Sequence, residues 1–236
     1  MMGQSLARRG VLFPGGPIVD IRSLLQMPTL YSWFQRAVGS DHGRRVYVRD
    51  HVRPCAGDAI LDVGCGPADV LEYLPAVCYH GIDLSERYID AARRKYGDRA
   101  TFRVVDVAEL AAESPRAFDI VLANGLLHHL PDDAVTHLFR VAAILLKPEG
   151  RFVSIDGCFT SEQSYLARYF LSRDRGLHVR QPEEYLNLAR QVFPNVRGNI
   201  RHDLLRIPYT HLVMEAAAAS ASQLPLPHST SQGRAA

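Results

Sequence analysis

The sequence predicts an α/β protein with a doubly wound, mostly parallel sheet and helices on both faces. Three observations carry this. Short apolar runs alternate with amphipathic segments between Ala59 and Ile155, the pattern of successive βαβ units. A glycine-rich turn, Asp62-Val63-Gly64-Cys65-Gly66-Pro67, follows the first run directly. Two more runs close the fold with only a short connection between them. A hairpin fits that spacing, so one strand at or near the edge is antiparallel.

The elements follow in order. Residues 1–28 are rich in Gly and Pro and show no long period. A helix is expected from about Thr29, with Tyr31, Trp33 and Phe34, and another from about Gly43 to Val52, broken by Pro54 and Gly57. Ala59–Val63 reads as a buried strand, Val70–Leu74 as a short helix and Tyr79–Leu84 as the second strand. Ser85 is the expected cap of a helix reaching Tyr96, whose apolar face holds Tyr88, Ile89, Ala92 and Tyr96. Thr101–Val107 and Phe118–Ala123 are the third and fourth strands. Pro131–Leu146 is an amphipathic helix with Asp132 and Asp133 at its positive end. Arg151–Ile155 is the fifth strand, residues 157–181 are less regular, and a helix is expected from Pro182 to Val192. Strands near Val196–Leu204 and Tyr209–Glu215 end the fold, and an Ala, Ser, Pro and Gln-rich tail is expected to be disordered.

Composition narrows the function. The chain has 236 residues, 47% hydrophobic and 22% charged, globular values that exclude disorder and fibrous repeats. A chain of this length buries roughly 70–75% of its unfolded surface and needs no staples. The four cysteines, Cys55, Cys65, Cys78 and Cys158, show no CxxC pair or Cys/His ligand spacing. No zinc site or disulfide framework is expected, and a reducing, cytoplasmic setting fits. No apolar run nears the ~18 residues of a membrane helix, and no secretory signal is expected behind Arg8 and Arg9. The net charge of +2 hides an acidic middle between basic flanks. There is no clustered basic stripe with interleaved aromatics, so no nucleic-acid partner is expected.

The chemistry sits at strand ends. Glycines after the first strand let backbone approach a ligand closely. Asp83 ends the second strand, 21 residues after Asp62, where an acid accepts both hydroxyls of a ribose. Asp106, at the end of the third strand, is placed to meet an adenine amine. Two nucleoside cofactors compete. A nicotinamide dinucleotide needs a third glycine so that the next helix receives its pyrophosphate, but that position is Asp69. Asp62, shortly before the first glycine, suits a cationic ammonium or sulfonium ligand. Both facts favour S-adenosylmethionine.

On these residues the sequence resembles the class I S-adenosylmethionine-dependent methyltransferases over about residues 55–216. The resemblance rests on Ile60 to Gly66, Gly81-Ile82-Asp83-Leu84-Ser85, Val105-Asp106-Val107 and Phe118-Asp119-Ile120-Val121 running into Leu127-His128-His129-Leu130. Lys147-Pro148-Glu149-Gly150 before Arg151-Phe152 also looks like the turn before that family's fifth strand. It implies a Rossmann-like, seven-stranded sheet with its last strand antiparallel. The expected organisation is an N-terminal segment with cap helices (1–53), a cofactor-binding domain (54–216) with a substrate-side insertion (157–182), and a tail (217–236).

The resemblance also implies roles. The loop Asp62, Gly64, Cys65 and Gly66 would meet the methionine part of the cofactor, Asp83 and Leu84 the ribose side, Asp106 and Val107 the adenine, and Asn124 the sulfonium end. Tyr31 is a candidate lid over the cofactor, or packs on the sheet. Methyl transfer is an in-line displacement, and a general base is needed only for a protonated nucleophile. His128 and His129 are the candidate bases, and the pair equally fits a structural role. The insertion offers Tyr165, Arg168, Tyr169, Arg173, Arg175, His178 and Arg180 for a planar or acidic substrate, or as a solvated face. His202 and Asp203 are a further candidate pair near the active mouth, or an exposed strand end.

The expected activity is methyl transfer to a small molecule, with oxygen favoured over nitrogen or carbon and secondary metabolism a plausible setting. An RNA or protein methyltransferase, and a non-catalytic cofactor-binding partner subunit, are the alternatives.

Overall fold

The computed structural model describes residues 40–113, 115–173 and 176–217. Seven strands, β1 (Ala59–Val63), β2 (Cys78–Asp83), β3 (Thr101–Val104), β4 (Phe118–Asn124), β5 (Leu146–Gly157), β6 (Asn195–Arg201) and β7 (His211–Ala217), form one sheet. The order is β3-β2-β1-β4-β5-β7-β6. β1 pairs in parallel with both β2 and β4, and β7 runs antiparallel to β5 and β6. The predicted doubly wound sheet with an antiparallel last strand is therefore present. Between β1 and β4 the winding reverses direction, which opens a crevice at the carboxyl ends of the strands.

The helices are α1 (Ser40–Tyr47), α2 (Glu86–Tyr96), α3 (Val107–Glu113), α4 (Asp132–Leu145), α5 (Tyr165–Arg173) and α6 (Pro182–Arg190). None of the described helices is long and apolar enough to cross a membrane. The strands feed two core layers because their side chains alternate. In β1, Leu61 and Val63 enter one layer and Ile60 the other; in β4, Val121 and Ala123 oppose Ile120 and Leu122. The first layer is anchored by Phe139, Phe152 and Phe193, whose ring centroids lie 5.2–6.0 Å apart. Each such buried side chain contributes about 1.5–3 kcal/mol.

Some elements depart from the sequence reading. The third strand stops at Val104 rather than Val107 because Asp106 begins a helix. Its Oδ1 accepts the Ala108 N–H at 2.8 Å and its carbonyl accepts from Glu109 and Leu110. Ser85 stands at the start of α2, but its side chain makes no capping bond; its carbonyl accepts from Tyr88 and Ile89 instead. β5 is longer than predicted, and α5 lies in the stretch predicted as irregular. α6 is opened by a reciprocal Gln181–Glu184 capping box and Pro182. The helix expected from Thr29, the candidates Tyr31, Trp33 and Phe34, and the tail from residue 218 lie outside the described residues.

The predicted Gly43–Val52 helix is α1 followed by a π-helical turn, Val48–Val52. Arg151 secures this turn, donating to the carbonyls of His51 and Arg53 at 3.0 Å and to that of Val52. Arg201 Nη1 donates to His51 Nε2 at 3.0 Å, so His51 Nδ1 carries the hydrogen given to Glu215 at 2.9 Å. The network fixes α1 to β5, β6 and β7 with Arg44 and Tyr47 turned to the crevice.

Candidate active site

A cavity of about 1050 Å³ occupies the crevice. It is at the upper end of ligand-pocket volumes and suits two bound molecules better than one. Eleven of the predicted site residues line it. The loop after β1 gives Asp62, Gly64, Cys65 and Gly66; β2 and the residue after it give Asp83 and Leu84; the start of α3 gives Asp106 and Val107. Asn124, at the end of β4, and His128 and His129 beyond it complete the set.

The cofactor half is built around two locked carboxylates. Gly64 and Gly66 take φ values of +67° and +54°, the left-handed region where a side chain is strained. This bend aims the Gly66 N–H at Asp83 Oδ2, 3.0 Å away, while Asp83 Oδ1 accepts from the Ser85 N–H at 2.8 Å. Each oxygen keeps a second acceptor site, which matches two neighbouring hydroxyls. Leu84, 73% exposed on the rim, offers an apolar surface to a flat ring.

Asp62 is buried. Tyr79 Oη donates to its Oδ2 at 2.5 Å, and among the described residues its Oδ1 has no partner. Burial pushes this carboxyl up to about 7, against the Tyr79 hydrogen bond that lowers it and with the nearby Asp83 charge that raises it. Burial first, then the Asp62 charge, raise the Cys65 thiol far above its ordinary range, so it is no nucleophile. Tyr47 Oη donates to Asn124 Oδ1 at 2.6 Å. Burial, with the charges of Asp62, Asp156 and Glu215, holds that phenol protonated.

Asp69 stands where a dinucleotide fold needs glycine. It accepts from Lys95 at 2.8 Å and Arg44 at 3.4 Å, and the helix it opens is a five-residue 3₁₀ turn. No pyrophosphate cradle exists there.

The other half centres on His128. Asp156 Oδ1 accepts from the His128 backbone N–H at 3.2 Å and faces Nδ1 at 2.8 Å. A carboxylate only accepts, so Nδ1 carries the proton and Nε2 is the basic nitrogen. His128 is 6% exposed. His129 is exposed, its ring centroid 4.2 Å from that of His128. Phe170, Arg173, Tyr209 and His211 also line this half.

Not every insertion candidate faces the cavity. Arg180 is buried; it donates to Asp132 Oδ1 at 2.6 and 2.8 Å and to the carbonyls of Leu127, His178 and Leu130 at 3.0, 3.0 and 2.7 Å. It ties down the turn that carries His128 and does not line the cavity. Tyr165 is 94% exposed, and Arg168 lies over the Phe159 ring. His178 donates its N–H to the His128 carbonyl, and Arg175 lies outside the described residues. Asp203 pairs with Arg201 at 2.7 Å, and His202, whose Nδ1 lies 3.3 Å from Thr210 Oγ1, lines a separate small cavity, so the two do not pair at the site. Sequence reasoning missed Arg44, Tyr47 and Asp156. Only Asp156 left a signal, an acid directly after the apolar run of the fifth strand.

The fold and these two half-sites define a nucleoside-binding α/β protein whose pocket suits a cationic cofactor. Residues 60–150 match a family model described as a methyltransferase domain. The ubiquinone biosynthesis O-methyltransferase of Bordetella parapertussis is 34% identical over 179 residues, covering 70% of this chain and 67% of that protein. The 27-O-demethylrifamycin SV methyltransferase of Amycolatopsis mediterranei is 39% identical over 104 residues, 41% of this chain and 37% of that one. Among solved structures, the apo S-adenosylmethionine-dependent methyltransferase SibL superposes with a TM-score of 0.66 at 18% identity, covering 88% of this chain and 64% of that one. Phosphoethanolamine N-methyltransferase 2 of Haemonchus contortus, in complex with S-adenosyl-L-methionine, gives 0.61 at 18% identity, covering 86% and 60%. The chain belongs to the class I S-adenosylmethionine-dependent methyltransferases. Its cofactor is S-adenosyl-L-methionine, and the residues present are compatible with it: Asp62 has a buried oxygen without a partner among the described residues, and each Asp83 oxygen keeps acceptor capacity beside its backbone donor.

Proposed function

We propose that this enzyme methylates a hydroxyl oxygen of a small molecule, with His128 as general base and Asp156 as its positioning residue. The single observation that carries the reading is the buried His128–Asp156 pair on the cavity wall. A hydroxyl needs a base as it becomes a nucleophile, and a base with a fixed tautomer serves that step. The two relatives, both O-methyltransferases by name, support the choice of oxygen.

When bound, the cofactor supplies an electrophilic methyl group on a sulfonium. The chain's own residues do the rest. Asp62 takes the ammonium, Asp83 the ribose hydroxyls, Asp106 and Val107 the adenine, and Asn124, held by Tyr47, borders the sulfonium end. Asp69, Arg44 and Lys95 hold the loop that carries the glycines. His128 Nε2 accepts the acceptor's proton, and Asp156 stabilises the resulting imidazolium. His129 borders the same space from an exposed position beside the His128 ring. Four free thiols fit a reducing, cytoplasmic setting.

The test is a turnover screen with isotopically labelled S-adenosylmethionine against phenols, alcohols and amines, read by mass spectrometry of the products. Labelled methyl ethers are expected, and their formation is lost in His128→Ala. Methylation confined to amines, or retained in His128→Ala, rejects oxygen as the acceptor or His128 as the base.

A further inference from the structure

Two arginines line the cavity, Arg44 and Arg173. Arg44 is neutralised, because it faces Asp69 at 3.4 Å and Asp41 at 3.9 Å. Arg173 is exposed to the cavity and has no carboxylate partner among the described residues. Its contact is the Tyr169 ring, whose centroid lies 5.2 Å from Cζ. The acids that line the cavity are engaged elsewhere. Asp62, Asp69, Asp83 and Asp106 belong to the cofactor half, and Asp156 is turned to His128 with its other oxygen buried. The methyl-transfer reading leaves the charge of Arg173 unused.

The end of α5 puts that charge in the acceptor half. Phe170 and Arg173 are three residues apart, so they share the helix face that borders the cavity. The chain beyond α5 returns to His128: Gly176 lies against its ring, and the His178 N–H donates to its carbonyl at 3.0 Å. Tyr169, one turn before Arg173, supports the guanidinium with its ring face and does not cancel its charge. A guanidinium fork matches the two oxygens of a carboxylate. Phe170 and Tyr209 bring rings to the same half, which suits a flat body between an anionic group and the hydroxyl.

We propose that Arg173 is a specificity-determining residue that binds a carboxylate on the acceptor, so that the substrate class is a hydroxylated aromatic acid. The hydroxyl goes to His128, the carboxylate to Arg173, and the ring lies beside Phe170 and Tyr209. This rests on the assignment of the His128 side as the acceptor site. A neutral analogue of the same size forfeits the charge-assisted hydrogen bonds to the guanidinium, so the site discriminates against it.

The experiment uses the full chain saturated with S-adenosylhomocysteine, so that binding is read without turnover. The probes are 3-hydroxybenzoate, 4-hydroxybenzoate and 4-hydroxycinnamate, each paired with its carboxamide, titrated by calorimetry or ligand-observed NMR. At least one acid is expected to bind about tenfold or more tightly than its amide. In Arg173→Gln that ratio should collapse to within about twofold, with S-adenosylhomocysteine affinity retained as the check on folding. Three results overturn the proposal: the amides bind as tightly as the acids, no acid binds, or the preference survives in Arg173→Gln. A roughly tenfold loss of S-adenosylhomocysteine affinity in the variant also overturns it, since the guanidinium would then serve the cofactor. Turnover with S-adenosylmethionine, read by mass spectrometry of the products, separates the two readings. Methyl ethers formed with equal kcat/KM from acid and amide keep the proposed function and sink this inference. An Arg173-dependent acid preference without methyl ether formation does the reverse. A methyl ester product rejects both, because the carboxylate then meets the methyl group itself and needs no base.

Discussion

Asp156 Oδ1 takes both the backbone N–H of His128, at 3.2 Å, and its ring Nδ1, at 2.8 Å. One carboxylate oxygen thus fixes where the 127–129 turn sits and which imidazole nitrogen is basic. Its neighbour His129 is exposed and lacks this brace, so the two adjacent histidines are chemically different.

That difference predicts unequal mutants. His128→Ala should lower kcat by about 10²–10⁴, the usual contribution of a general base. His129→Ala should cost less than about tenfold on the same scale. Both should keep S-adenosylhomocysteine affinity. A larger loss in His129→Ala would reverse the assignment.

The His128 ring is also held by contact. A Cβ on Gly176 would lie 2.3 Å from His128 Cδ2 and 2.9 Å from its carbonyl oxygen, far inside van der Waals contact. Gly176→Ala is expected to displace the imidazole and lower kcat while cofactor affinity changes little. Unchanged kcat in steady-state assays would mean that the ring's position does not matter to the rate.

Asp83 receives two backbone donors and has room for two hydroxyls. Asp83→Ala should weaken cofactor binding by at least about 1.5 kcal/mol, since charge-assisted hydrogen bonds are lost. Calorimetry with S-adenosylhomocysteine checks this, and equal affinity in variant and wild type removes Asp83 from the ribose site.

Asp62 makes binding and stability depend on pH. Its carboxyl is raised from 3.8 to about 7 by burial, among Tyr79, Asp83 and Tyr47. Between those values the folded protein holds a proton that the unfolded chain has lost. Stability therefore falls as pH rises from about 4 to about 7, by on the order of a few kcal/mol, then levels. Cofactor affinity moves oppositely, because an ammonium pairs only with the ionised form. Urea melts and calorimetry between pH 5 and 8 should show both slopes in wild type and neither in Asp62→Asn. Parallel slopes in the two proteins would assign the effect to another group.

Arg180 offers a stability test. It is 7% exposed and makes bonds to three backbone carbonyls besides Asp132. Arg180→Met leaves those carbonyls short of a donor, at about 2–4 kcal/mol, which lowers Tm by about 5–10 °C. Asp132 is largely solvated, so its lost partner adds little. A Tm within a degree of wild type would return Arg180 to the list of substrate contacts.

Much of this was legible in the sequence. Asp62, Asp83, Asp106 and Asn124 could be found because each sits at or just past the end of an apolar run, and a parallel sheet gathers such ends on one edge. Local signals misled where a side chain outcompeted the strand pattern. Asp106 turned the expected end of the third strand into the start of α3. Arg180 resembled an exposed cation among the other arginines of the insertion, because no local pattern reveals that three carbonyls surround it.

By itself the sequence determined the parallel sheet with one antiparallel strand at or near its edge, the glycine-rich loop after the first strand and the acids at the strand ends that line the crevice. Those features follow from periodicity and from residues next to each other in the chain. Only the tertiary structure decided which histidine is braced, that Tyr47 reaches Asn124 across 77 residues, and that Asp156 brings its Oδ1 to His128 from β5. These depend on contacts between segments distant in sequence. Such contacts form only once the sheet is assembled, and hydrophobic periodicity does not encode which polar atoms then find partners.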